Sequence, residues 1–163
     1  MNKKEVHFNY SEGVIEDLDL NLQNLVKRAN QASNMAYAPY SLFYVGAAIL
    51  LEDGTIVTGN NQENVAYPSG LCAERVAIFS AAANHPNAKI KAIAVAAHNK
   101  DMSPDTIITP CGSCRQAMAE YEQKQEEPIK IILCSNNGKV KVIENISTLL
   151  PIMFEAKQLI KKS

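Results

Sequence analysis

Leu18, Leu22, Leu25, Val26, Ala29, Ala32 and Met35 recur at steps of three and four residues. That spacing predicts an amphipathic helix, which Pro39 brings to an end. Positions 45–52 and 56–59 are β-type runs, and Asp53-Gly54 between them is a hairpin signal. Positions 72–83 are rich in alanine, without Gly or Pro, and predict a buried helix. The apolar run 90–97 predicts a buried strand, and 111–125 predicts a helix entered through Pro110. Positions 129–135 and 139–143 predict two strands joined by the turn Asn136-Asn137-Gly138. Two weaker helices are expected over 148–154 and 155–161. The order α-β-β-α-β-α-β-β-α implies a three-layer α/β/α architecture with a mixed sheet. The hairpin supplies an antiparallel pair, and the crossovers through the helices at 72–83 and 111–125 are expected to join parallel neighbours.

With 163 residues and no repeat or linker-like tract, one domain over 1–163 is expected. Sixteen basic against seventeen acidic side chains give no electrostatic reason to expect nucleic acid or an anionic membrane as a partner. The longest uncharged run, 29–51, is broken by Asn30, Gln31, Ser33, Asn34, Pro39 and Ser41, so no membrane span is expected. The first residues lack the apolar stretch of a secretory signal, which makes a cytoplasmic protein the expectation. In that compartment the four cysteines, Cys72, Cys111, Cys114 and Cys134, stay reduced.

Cys111 and Cys114 stand three residues apart at a helix start, and Cys72 opens the other alanine-rich helix. Helix N-termini carry partial positive charge and unpaired N–H groups, which favour thiolate. Three thiolates from two helix starts suit one tetrahedral zinc ion and leave its fourth corner open, as catalytic zinc requires. Cys134 falls inside an apolar strand and is expected in the core. Glu74, two residues after Cys72, can stand beside the open corner as a proton carrier without ligating the metal. Three thiolates leave the cluster with net negative charge. Arg75 is the only basic residue between Arg28 and Lys89, and its guanidinium can hydrogen-bond the sulfurs and offset that charge. A Cys-x-x-Cys pair alone would equally serve a structural zinc site or a thiol-redox protein.

Taken together, Cys72-Ala73-Glu74 and Pro110-Cys111-Gly112-Ser113-Cys114 match the zinc deaminase signature. With Tyr37-Ala38-Pro39-Tyr40-Ser41, Phe43, Thr58-Gly59, Asn61-Gln62-Glu63-Asn64 and Leu149-Leu150-Pro151, the chain resembles the homotetrameric cytidine deaminases. The resemblance implies a mixed five-stranded sheet between helices and one zinc per subunit on Cys72, Cys111 and Cys114. It implies Glu74 as the catalytic proton shuttle, Asn61 and Glu63 as ribose ligands and Phe43 at the pyrimidine. It implies cytidine and 2′-deoxycytidine as substrates, uridine or 2′-deoxyuridine and ammonia as products, a role in pyrimidine salvage, and a homotetramer with shared active sites. An amide and a carboxylate suit neutral hydroxyls, and Glu63 would repel a phosphate. Asn60, Gln62 and Tyr44 depart from the family's usual residues, and residues 1–20 look like an N-terminal extension. Two other readings stand beside this one: a deaminase of the same fold acting on a blasticidin S-like compound or guanine, and a non-catalytic zinc or thiol protein.

Overall fold

The computed structural model describes residues 1–155. Its elements are β1 (Ser11–Val14), α1 (Leu20–Ser33), β2 (Tyr44–Leu51), β3 (Ile56–Asn60), α2 (Ala73–Asn84), β4 (Ile90–His98), α3 (Gly112–Gln125), β5 (Lys130–Cys134) and β6 (Lys139–Ile143). The strands form one sheet in the order β1-β6-β5-β4-β2-β3. Only β4 and β5 pair in parallel among the described residues; the other neighbours are antiparallel.

Strand alternation sorts the core into two layers. Leu25, Val26 and Ala29 of α1 pack with Ala48, Ala94, Ala96, Ile132 and Cys134 on one face of the sheet. Ala73, Ala77 and Ile78 of α2, and Cys114 and Met118 of α3, pack with Ala47, Ile49, Ile93, Val95, Ile131 and Leu133 on the other. The α/β/α layering expected from the sequence is therefore present.

Three expectations need correction. The sheet has six strands, not five. The sixth is β1, which pairs antiparallel with β6 and satisfies backbone groups that would otherwise form an open edge. Lys141 holds it there, 3.1 Å from the Glu12 carboxylate and 4.9 Å from the centre of the Tyr10 ring. Second, the crossover through α2 does not join neighbours. β3 and β4 both run antiparallel to β2, which lies between them. Third, 148–154 is not a regular helix. A three-residue 3-10 turn, Ser147–Leu149, ends before Pro151, because the residue preceding a proline is pushed out of helical geometry. The helix expected over 155–161 lies outside the described residues apart from Glu155.

A buried carboxylate ties α3 to the strands beyond it. Glu122 accepts the backbone N–H groups of Ile129 (2.9 Å) and Ile146 (2.7 Å) on one oxygen and that of Ser147 (3.0 Å) on the other. Truncation would strand these donors where water is scarce. Glu122→Ala should cost about 3 kcal/mol of stability, since bonds to charged groups contribute ~1.5–3 kcal/mol each and part of the loss is recovered by hydration. Urea denaturation of the zinc-loaded protein measures it; an unchanged midpoint would show that water replaces the carboxylate freely.

Candidate active site

Because β3 and β4 point the same way, both end at one side of the sheet, and the chain begins α2 and α3 there. This is the crevice outside the carboxyl ends of the strands, where open α/β sheets hold ligands. Cys72 is the N-cap of α2, Cys111 is the N-cap of α3, and Cys114 sits in the first turn of α3.

The two helix starts bring the three sulfurs within 4.8 Å of one another. Cys72 Sγ lies 4.0 Å from Cys111 Sγ, which lies 3.5 Å from Cys114 Sγ. A tetrahedral zinc with Zn–S bonds of about 2.3 Å places its sulfurs about 3.8 Å apart, so the donor set fits that ion. No other group of three such donors gathers among the described residues. The Cys72 thiol is drawn down to about 5, first by its hydrogen bond with Cys114, with Arg75 and Cys111 adding to the effect. Cys114 is pushed up as the partner in that bond. Cys111 is exposed, Cys72 half-buried and Cys114 buried.

Glu74 follows one residue behind Cys72's neighbour Ala73 and is 5% exposed. Burial first, and then the Cys72 charge, raise its carboxyl above the usual range. Arg75 Nη2 donates to Cys72 Sγ at 3.9 Å. Its Nε–H is buried without a partner among the described residues. A guanidinium held against sulfur in this way fits a thiolate cluster that carries negative charge.

Cys72, Glu74 and Cys111 open onto a cavity of about 600 Å³, within the range of small-molecule sites. Phe43, Asn61 and Glu63 line it together with Cys72, Glu74 and Cys111. The structure thus gathers all the candidate residues except Cys114 and Arg75 at the cavity wall; Cys114 contacts the Cys111 sulfur and Arg75 the Cys72 sulfur. Asn61 accepts from the Val45 N–H (2.8 Å) and donates to the Phe43 carbonyl (2.9 Å), which fixes the lip that carries Phe43. Glu63 accepts from the N–H groups of Tyr40 (2.8 Å) and Ser41 (3.3 Å) and from the Ser41 hydroxyl (2.5 Å). The Ser41 bond chiefly holds the Glu63 carboxyl below the usual range. Both side chains keep hydrogen-bonding capacity, since an amide and a carboxylate each offer about four sites.

Sequence reasoning did not single out Val95 of β4, Thr109 or Tyr67, which also line the cavity. Each sits in a run that gives no local sign of a site. The departing residues find partners: Gln62 donates to Asn60 Oδ1 (2.5 Å), and Tyr44 stacks on His98 with centroids 5.2 Å apart.

Three clustered thiols beside a buried carboxylate, at a cavity of small-molecule size, suit a metal-dependent enzyme. Comparison with known proteins makes this specific. Residues 20–126 match the family model "Cytidine and deoxycytidylate deaminase zinc-binding region". A cytidine deaminase of Halalkalibacterium halodurans is 42% identical over 137 residues, 84% of this chain and 96% of that one. The crystal structure of a cytidine deaminase from Burkholderia pseudomallei superposes with a TM-score of 0.69 at 38% identity, covering 80% of this chain and 97% of that one. A blasticidin-S deaminase of Bacillus cereus is 30% identical over 149 residues, 90% of this chain and 96% of that one. The chain belongs to the cytidine and deoxycytidylate deaminase family. It is an enzyme of the deaminase class, and zinc is its cofactor.

Proposed function

We propose that the protein hydrolyses cytidine and 2′-deoxycytidine, with water, to uridine or 2′-deoxyuridine and ammonia, a reaction of pyrimidine salvage. One observation carries the reading: a buried carboxylate beside three clustered thiols faces a cavity whose wall also bears Asn61 and Glu63. Cys72, Cys111 and Cys114 would hold the zinc, with Arg75 balancing their charge from behind. The ion would supply Lewis acidity and make water a competent nucleophile near neutral pH. Glu74 takes the proton of the attacking water and passes it to ring N3 as the oxygen joins C4. It then takes the remaining proton from the hydroxyl now on C4 and delivers it to the exocyclic amine, so that the C4–N bond breaks, the C4 carbonyl forms and ammonia leaves. Its raised pKa suits a group that must hold a proton and give it up again. Asn61 and Glu63 orient the sugar through their remaining hydrogen-bonding capacity, and Phe43 packs against the pyrimidine.

The whole chain, 1–163, acts as one catalytic domain with residues 1–20 as an N-terminal extension. Tyr37, Tyr40, Leu42, Val65 and Tyr67 are exposed, and Tyr40 and Tyr67 reach the cavity. Such apolar exposure beside a site supports a homotetramer whose subunits complete one another's cavities. A reducing cytoplasm suits three thiols that must stay free for metal. No helix of the described residues is long and apolar enough to cross a membrane.

A substrate panel tests the reading. Loss of the aminopyrimidine absorbance is followed with cytidine, deoxycytidine, cytosine, CMP, guanine and blasticidin S. Cytidine and deoxycytidine should react at least ~10²-fold faster than the rest, because sugar hydroxyls are read by polar groups that other ligands leave unpaired or repel. Preferential turnover of blasticidin S would move the substrate to that branch of the family, and inertness toward every compound would defeat the reading.

A further inference from the structure

Gly59 is the penultimate residue of β3 and pairs with Ala47 of β2. A Cβ placed on it would lie 2.4 Å from the Ala77 amide nitrogen, 2.8 Å from the Ala73 carbonyl oxygen and 2.9 Å from the Ala77 Cα. All three are backbone atoms in the first part of α2, so no flexible side chain can give way. Here the helix rests directly on the strand. Favourable carbon contacts begin near ~3.5 Å, so a methyl group at position 59 must lift this end of α2 by about 1 Å.

That end of the helix carries Cys72 and Glu74, on either side of Ala73. Cys111 caps α3 and Cys114 lies in its first turn, whereas the three atoms nearest that Cβ all belong to α2. A lift of α2 therefore does not move the sulfur cluster as one body. It separates one ligand and the proton carrier from the other two ligands. β3 also leads straight into Asn61 and Glu63, so Gly59 joins the two walls of the cavity.

We propose that Gly59 is a positioning residue of the active site. Its bare α-carbon seats α2 on β3 and so sets the spacing of Cys72 and Glu74 from Cys111 and Cys114. This rests on the zinc-ligand reading above. Metal–ligand distances tolerate only about 0.2 Å, well below the displacement a side chain would impose.

Gly46 supplies a control. Its Cβ would meet the Ala29 carbonyl oxygen at 2.0 Å and the Ser33 amide nitrogen at 2.4 Å, both in α1 on the opposite face of the sheet. Strain there is at least as severe, yet α1 carries no site residue.

The experiment compares wild type with Gly59→Ala, Gly46→Ala and Cys72→Ser. Melting temperature, zinc affinity against a chromophoric chelator, the spectrum of the cobalt-substituted protein and steady-state kinetics are measured. Gly59→Ala should lower zinc affinity at least ~10-fold, alter the cobalt ligand-field bands and reduce kcat by ~10²-fold. Gly46→Ala should lose melting temperature but keep the affinity and spectrum of wild type. If Gly59→Ala keeps wild-type affinity and spectrum, or both glycine variants lose zinc equally, the proposal is overturned. Cys72→Ser separates the two readings: if it retains zinc, the ligand assignment itself is wrong. Should Gly59→Ala fail to fold, Val57→Leu adds yielding bulk on the same face of β3, against the core that holds α2. It should weaken zinc binding severalfold, and unchanged affinity there would equally overturn the proposal.

Discussion

Glu74→Gln lowers the turnover of cytidine by ~10²–10⁴-fold, the range for loss of one general acid–base group, while zinc content and fold stay as in wild type. The upper end is expected, because in the proposed reaction one carboxylate serves both the attack of water and the departure of ammonia. Glutamine has the same shape and can still donate and accept hydrogen bonds, but it cannot accept and return a proton. Stability should not suffer. Burial already disfavours the ionised carboxylate, which is why its pKa is raised, and a neutral amide of equal size removes that cost. The variant should therefore melt at or above the wild-type temperature. Metal analysis, a thermal melt and an ammonia assay on one preparation decide the matter. A Gln variant that deaminates at a near-normal rate would remove Glu74 from the chemistry; one that loses zinc would show that it supports the ligands instead.

What the sequence disclosed, and what it hid, follows from the range of the forces involved. α1 is written in local periodicity, α2 in an alanine-rich run without Gly or Pro, α3 in a run entered through Pro110, and the β2–β3 hairpin in Asp53-Gly54, where Gly54 takes a φ of 87°. The core position of Cys134 could likewise be read from its apolar run. β1 could not. Ser11-Glu12-Gly13-Val14 has neither alternation nor β-branched enrichment, and it is a strand because β6 offers it an unpaired edge. The placement of β2 between β3 and β4 is also non-local, since a parallel direction does not require adjacency. At the site, residue types and short spacings exposed the thiols and Glu74. The contribution of Ser41 was invisible, because it depends on Glu63 closing a bond across 22 positions. The turn that bond secures contains Leu42 at a φ of 54°, a left-handed conformation that a leucine adopts only at a cost of ~1–2 kcal/mol.

Cys114→Ser and Cys134→Ala should divide cleanly, although both remove a buried sulfur. Cys134 packs with α1 on one face of the sheet, while Cys114 belongs to the α2–α3 face. The sheet therefore stands between Cys134 and the cluster. Burial also pushes the Cys134 thiol up to about 12, so it remains protonated, donating to the Val95 carbonyl at 3.3 Å. Its loss should cost about 1 kcal/mol, the usual scale for a single substitution, with zinc retained at one per chain. Cys114 is the least exposed of the three clustered thiols. Serine cannot reproduce a thiolate near neutral pH, and thiolate-rich zinc sites bind with ~10–16 kcal/mol. One sulfur of three then accounts for several kcal/mol of that affinity. A loss of about 4 kcal/mol corresponds to ~10³-fold, enough for a moderate chelator to strip the variant and abolish turnover while wild type keeps both. Zinc analysis after dialysis against the chelator, paired with the rate on cytidine, reads the outcome. Zinc lost from Cys134→Ala but held by Cys114→Ser would mean a closed structural site with different ligands, and no corner at which water could be activated.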